Sequence, residues 1–293
     1  MKKSYRFNIL PVILVFAFLA LTVFLRVPAF AAQPQDASGQ GQTVQPSCPD
    51  AAAGGGQTQK QVQAPVCAEP EKGICSGADV SFFSKYVSRG VDMTDGPVFE
   101  PDAWISYKHL TATIWANVDL TDKNYKDGKF TEFDFTLDYS ASAGKLGLSG
   151  GAIYYDYVSA PNTAEVYGSV SYDTFLSPKL IVYYDYWQAD GFYGVFSVGH
   201  TFCLPRPAKW LNPSLSLSGQ AGWGSRNFNN YSWGAKHSAF TDAVFTAGLP
   251  TQVSSHVSVT PTISYSTVLD RTIRTKNHKN DNIIWGAVIS ASL

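Results

Sequence analysis

Between residue 78 and the last residue, apolar positions alternate with small or polar ones in twelve separate stretches. These read as strands at 78–89, 99–109, 111–120, 131–142, 145–157, 164–175, 179–188, 191–202, 213–223, 238–249, 256–268 and 282–293. In the last, Ile283, Trp285, Ala287, Ile289, Ala291 and Leu293 share one face. Gly286, Ser290 and Ser292 share the other with Ile284 and Val288. In the fourth, Phe133, Phe135, Leu137 and Tyr139 oppose Glu132, Asp134, Thr136 and Asp138. Side chains of a strand alternate between two faces, so each stretch has one greasy wall and one small or polar wall. Repeated an even number of times, this pattern predicts an all-β fold, a transmembrane antiparallel β-barrel of about twelve strands. A soluble β-sandwich alternates too, but rarely carries so long an aromatic face opposite a carboxylate face.

The connections point the same way. With strand one running outward, the periplasmic connections are 108–110, 142–144, 177–179, 204–212 and 250–255, mostly short. The outer ones are 90–98, 121–130, 158–163, 189–190, 224–237 and 269–281, mostly longer. Short inner turns and long outer loops mark outer-membrane barrels. The tight 189–190 turn and the long 204–212 segment depart from that asymmetry.

The chain divides into three parts. Residues 1–31 read as a signal peptide, with Lys2, Lys3 and Arg6 before an apolar run from Ile9 to Leu25, then Ala29-Phe30-Ala31. Residues 32–74, rich in Gln, Ala, Gly and Pro, read as a flexible periplasmic tail. Residues 75–293 read as the outer-membrane barrel. Loss of the signal removes four of the 22 basic side chains and none of the 23 acidic ones, leaving a net charge of −5. Nucleic acid is therefore not an expected partner. Charged residues are only 15% and aromatics reach 14%, a balance that suits a wall facing lipid with aromatic rings at headgroup level. Of the four cysteines, Cys48, Cys67, Cys75 and Cys203, no pair has zinc-ligand spacing, and the periplasm permits disulfides. Pairing of Cys67 with Cys75 is sterically easy and is the favoured one; Cys203 then has Cys48 open to it, and the alternative is that all four stay reduced.

The run Ser84-Lys85-Tyr86-Val87-Ser88-Arg89-Gly90-Val91-Asp92-Met93-Thr94-Asp95-Gly96-Pro97 resembles the opening of the TorF family of porin-type proteins. Two further pieces are similar to it: Tyr107 to Val118, and Glu165 to Tyr172 running into Phe175-Leu176-Ser177-Pro178 and Tyr183-Tyr184-Asp185. The likeness spans roughly residues 78–293. It implies an outer-membrane barrel of porin function and supplies no substrate. The cysteine-containing tail is unusual for the family, and Leu293 stands where barrel-assembly machinery usually meets an aromatic.

The polar faces carry the candidate chemistry. With the apolar faces outward, Asp119, Glu132, Asp134, Asp138, Glu165, Asp173 and Asp242 point inward, with Lys85 and Arg89 from strand one. A charge facing lipid near the midplane costs about 2–4 kcal/mol for Lys or Arg and less for Asp or Glu, which favours this facing. Acids would line a cation-favouring passage, with Lys85 and Arg89 as a constriction. Alternatively the two bases pair with acids across a packed interior, because twelve strands enclose a narrow lumen. Strands five, seven and eight carry aromatics on both faces, so their facing stays open. Of the five histidines, His256 with Ser258 has the spacing of a His–Ser pair on one strand face, but at the periplasmic end, away from an outer-leaflet lipid.

The expected role is passive passage of small solutes through an outer-membrane channel, without catalysis, cofactor or metal. A lipid hydrolase, or a closed barrel serving as anchor or adhesin, are the alternatives. Expected partners are outer-membrane lipids and, during insertion, the barrel-assembly machinery. Lys108, Lys145, Lys179, Arg206 and Lys209 at the inner rim would meet anionic headgroups.

Overall fold

The computed structural model describes residues 73–122, 128–208 and 211–292. The signal, the tail up to residue 72, Cys48, Cys67 and Lys209 lie outside the described residues; Ile74, read as the end of the tail, opens the first strand. Among the described residues, fifteen strands and two helices follow in chain order. They are β1 (Ile74–Phe83), β2 (Tyr86–Ser88), β3 (Val91–Thr94), β4 (Val98–Tyr107), β5 (Leu110–Asp119), β6 (Lys129–Ala143), β7 (Leu146–Tyr157) and β8 (Thr163–Tyr172). Then come β9 (Lys179–Asp185), β10 (Gly191–Cys203), β11 (Asn212–Gly224), α1 (Arg226–Trp233), β12 (Ala239–Gly248), β13 (Thr251–Gln252), β14 (Val257–Val268), α2 (Arg271–Lys276) and β15 (Asp281–Ser292).

Twelve of these strands close into an antiparallel barrel. β1 pairs with β4 on one side and β15 on the other, and the sheet closes between β10 and β11. Closure leaves no open edge, so every wall strand finds its backbone partners within the sheet. The short β13 extends the rim beside β11 and β14.

Period two sorts the wall. On β6, Phe135, Leu137 and Tyr139 are exposed on the outside, whereas Glu132, Asp134 and Asp138 are buried inside. Phe82, Ile105, Phe245, Ile263, Ile283 and Trp285 from five other strands join the exposed apolar exterior. A soluble fold would bury such residues in a core; here the core is the lumen, and it is polar and aromatic.

Three features depart from the sequence reading. β1 begins at Ile74 and leaves the wall at Phe83, so 84–97 is a connection rather than strand. That connection holds the β2–β3 hairpin, which folds into the barrel. The connections after β11 and β14 contain the helices α1 and α2. Both are capped by their own sequence. Ser225 Oγ accepts from the Phe228 N–H, and the Asp270 carboxylate accepts from the N–H groups of Thr272 and Ile273, both at 2.9 Å. Helices of 8 and 6 residues are too short to show a periodicity, and the first lies against Gly191, where any Cβ would strike the Phe228 backbone.

Candidate functional site in the barrel lumen

The site is built around the tip of the hairpin. Arg89 (φ 50) and Gly90 (φ 82) are its two turn residues, and positive φ at both is the signature of a type I′ turn. Glycine is needed at the second position for a further reason. A Cβ there would stand 3.1 Å from Cβ of Asp242 on β12. The hairpin leaves the wall between β1 and β4 and reaches β12, so it spans the interior.

Arg89 ends in a cage assembled from four wall strands and α1. Its guanidinium donates to both carboxylate oxygens of Glu165 on β8, at 2.5 and 2.6 Å. The Tyr155 hydroxyl on β7 also donates to Glu165 Oε2 at 2.9 Å. The guanidinium carbon lies 4.9 Å from the ring centre of Tyr183 on β9, 4.8 Å from Tyr193 on β10 and 5.3 Å from Phe228 on α1. These are cation–π distances, and the fork-to-fork geometry with Glu165 is the strongest pairing a carboxylate makes. Tyr193 donates in turn to Asp242 Oδ1 at 2.8 Å.

Lys85 anchors the base of the hairpin. Its ammonium donates to Asp95 at 2.7 Å and to Asn282 Oδ1 on β15 at 3.1 Å, and lies 3.7 Å from Asp92. Lys279, beyond α2, binds the same Asp95 at 2.9 Å. The hydrogen bonds from Lys85 and Lys279 lower the Asp95 pKa to about 2. Asn277 donates to the Gly90 carbonyl at 2.9 Å, fixing the tip beneath α2.

The remaining acids fall as follows. Asp119, Glu132, Asp134, Asp138, Glu165 and Asp242 are all buried toward the interior. Tyr167 donates to Asp138 at 2.5 Å, and Asp119 accepts from the Thr121 N–H at 2.9 Å. Asp173 is a correction: β8 ends at Tyr172, and Asp173 lies in the exposed turn that follows, its N–H bonded to the Lys145 carbonyl. Lys85 and Arg89 are a second correction. Both are in the interior, but on the 84–97 connection and not on the first strand.

Sequence reasoning missed Glu100, Asp102 and Asp185, which are as deeply buried as the acids it named. The signal was present in β4, where Phe99, Ala103 and Ile105 alternate with Glu100, Asp102 and Ser106; Pro101 obscured it. It also left the tyrosines open. Tyr155, Tyr183 and Tyr193 face inward and touch Arg89, whereas Tyr154 turns to Phe135 and Trp187. Beside the hairpin, Tyr86, Met93, Thr94, Asp119, Glu132 and Tyr157 line a cavity of about 120 Å³. His256 is exposed in the turn before β14, and its Nδ1 lies 2.8 Å from Oγ of the adjacent Ser255.

Comparison with known proteins gives likeness of fold. No family model matches, and no curated protein matches. Among solved structures, the chain is similar to the NanC porin at 12% identity, covering 74% of this chain and all of that one, with a TM-score of 0.46. It is similar to an outer-membrane channel of Pseudomonas putida F1 at 10% identity, covering 78% of this chain and 100% of the other, TM-score 0.46. LpxR of Salmonella typhimurium matches at 8% identity over 75% of this chain and 99% of its own, TM-score 0.36.

Proposed function

We propose that this chain is an outer-membrane channel of the TorF type, through which small solutes pass passively, cations before anions. The observation that carries the reading is an acid-rich, tyrosine-rich interior enclosed by an apolar exterior. Asp119, Glu132, Asp134, Asp138 and Asp242 join Glu100, Asp102 and Asp185 in the interior, where the two bases from the hairpin are already matched by Glu165, Asp92 and Asp95. Carboxylates around a confined aqueous path lower the energy of a passing cation. The run that resembles the TorF opening is the one that forms the hairpin, so the constriction and the family likeness reside in the same residues. The outer membrane is the proposed location, with the residues before β1 on the periplasmic side, and the exposed belt of Phe, Ile, Leu and Trp is what lipid contact requires. Passage needs no nucleophile, and the Ser255 contact of His256 lends no support to a His256–Ser258 hydrolase pair.

The test is single-channel recording in planar bilayers. In a salt gradient the reversal potential should show cation preference, and Asp134→Asn with Asp138→Asn should reduce it. Anion preference in the unmodified protein would overturn the selectivity, and absence of any conductance would favour a closed anchor barrel.

A further inference from the structure

Arg89 occupies its cage as a ligand would. The residues around it belong to β7, β8, β9, β10 and α1, and none belongs to the hairpin that delivers it. The wall therefore supplies a complete receptor for a planar cation: one carboxylate presented edge-on, a phenol bracing it, and three aromatic faces. Glu165 is almost fully buried, and Asp242, buried behind Tyr193, keeps Oδ2 without a hydrogen-bond partner. The occupant is held in a conformation that costs energy. A non-glycine residue at φ 50 is disfavoured, and such strain persists where contacts elsewhere offset it.

We propose that the cage formed by Glu165, Tyr155, Tyr183, Tyr193 and Phe228 is a binding site for guanidinium-bearing solutes, with Arg89 as its tethered occupant and the hairpin as a plug released when a solute takes its place. The two-pronged carboxylate selects the guanidinium over a spherical cation, and the three rings, tilted by about 44° and 43° between neighbours, close around it. Lys85 and Asn277 hold the stem and tip, so the plug returns when the solute leaves. The gating half rests on the channel reading above; the binding half does not.

The test uses the full chain with Arg89→Ala, folded in detergent micelles and in planar bilayers. Guanidinium chloride at millimolar concentration, against sodium and tetramethylammonium chloride at equal ionic strength, is the probe. Guanidinium ordinarily destabilises proteins, so a rise in the unfolding midpoint of Arg89→Ala, larger than in the unmodified chain where Arg89 competes for the cage, is the expected sign of specific filling. Adding Glu165→Gln should weaken the response about tenfold or more, because the charge-assisted fork is lost. In bilayers Arg89→Ala should conduct severalfold more, and guanidinium should bring that conductance back down. Stabilisation without conductance keeps the cage and removes the channel. Conductance that rises but ignores guanidinium keeps the channel and overturns the cage. Equal stabilisation by all three cations also overturns it. Should Arg89→Ala fail to fold, Arg89→Gln keeps a polar side chain at the turn while leaving Glu165 without a cation, and guanidinium must then stabilise it more than the control cations do.

Discussion

Arg89 and Glu165 stand 76 residues apart in sequence and form a two-pronged ion pair inside the barrel, at 2.5 and 2.6 Å. One partner belongs to the hairpin of the 84–97 connection and the other to the wall, so the pair ties the inserted hairpin to the far side of the barrel. Each group is sheltered from water, with side-chain exposures of 14% and 3%.

Removal of either partner should be costly. Arg89→Ala leaves Glu165 buried and unmatched, an imbalance that typically costs about 3–5 kcal/mol. Arg89→Ala with Glu165→Ala, which removes both charges, should cost much less than Arg89→Ala and Glu165→Ala summed. Urea unfolding of the folded barrel in micelles measures all three. Additive losses would mean that the two groups act independently.

Gly90 and Gly144 both have positive φ, 82 and 60, but different surroundings. Nothing lies within 4 Å of a Cβ at Gly144, whereas at Gly90 Asp242 stands at 3.1 Å. Alanine at Gly144 should cost only backbone strain, about 1 kcal/mol. Alanine at Gly90 should cost clearly more and should also lift the hairpin from β12, seen as faster amide exchange over 86–94. Equal losses at the two sites would contradict the tight approach.

Asp95 holds Lys85 and Lys279 together, and its pKa is lowered to about 2 from an ordinary 3.8. A depressed carboxylate pKa gives stability that is complete above the ordinary value and is lost as pH falls through the folded one. The unmodified protein should therefore melt higher than Asp95→Asn above about pH 4, and the gap should close toward pH 2. The side chain is 55% exposed, so the gap should be small and shrink with salt. A gap that is constant across this range would exclude the ion pairs as its source.

Cys75 on β1 and Cys203 at the end of β10 are both disulfide-bonded. Going the shorter way round the wall, β10 is the fifth neighbour of β1, on the order of 20 Å of sheet, far beyond the roughly 7 Å Cα separation a disulfide allows. A non-reducing peptide map should therefore contain no Cys75–Cys203 link. Cys48 and Cys67 are the only other cysteines of the sequence, and Cys67–Cys75 is the pairing we propose. Recovery of a Cys75–Cys203 peptide would overturn both the pairing and the strand order.

The alternation of Phe135, Leu137 and Tyr139 with Glu132, Asp134 and Asp138 was sufficient to set the wall, because lipid outside and polar groups inside leave a strand only one way to face. Twelve such stretches also carried the count and the closure. The interior was another matter. Nothing local tells Ser84 to Pro97 to leave the wall, since Lys85, Val87 and Arg89 continue the period-two pattern of β1. The Arg89-Gly90 turn is a short-range signal only once the chain is known to reverse there. Its destination depends on Glu165, Tyr183, Tyr193 and Phe228, which come from separate strands and a helix and meet only when the barrel is closed. Period two decides which face a residue takes; which of the inward residues meet across the lumen is decided by closure, and only the tertiary structure holds that information.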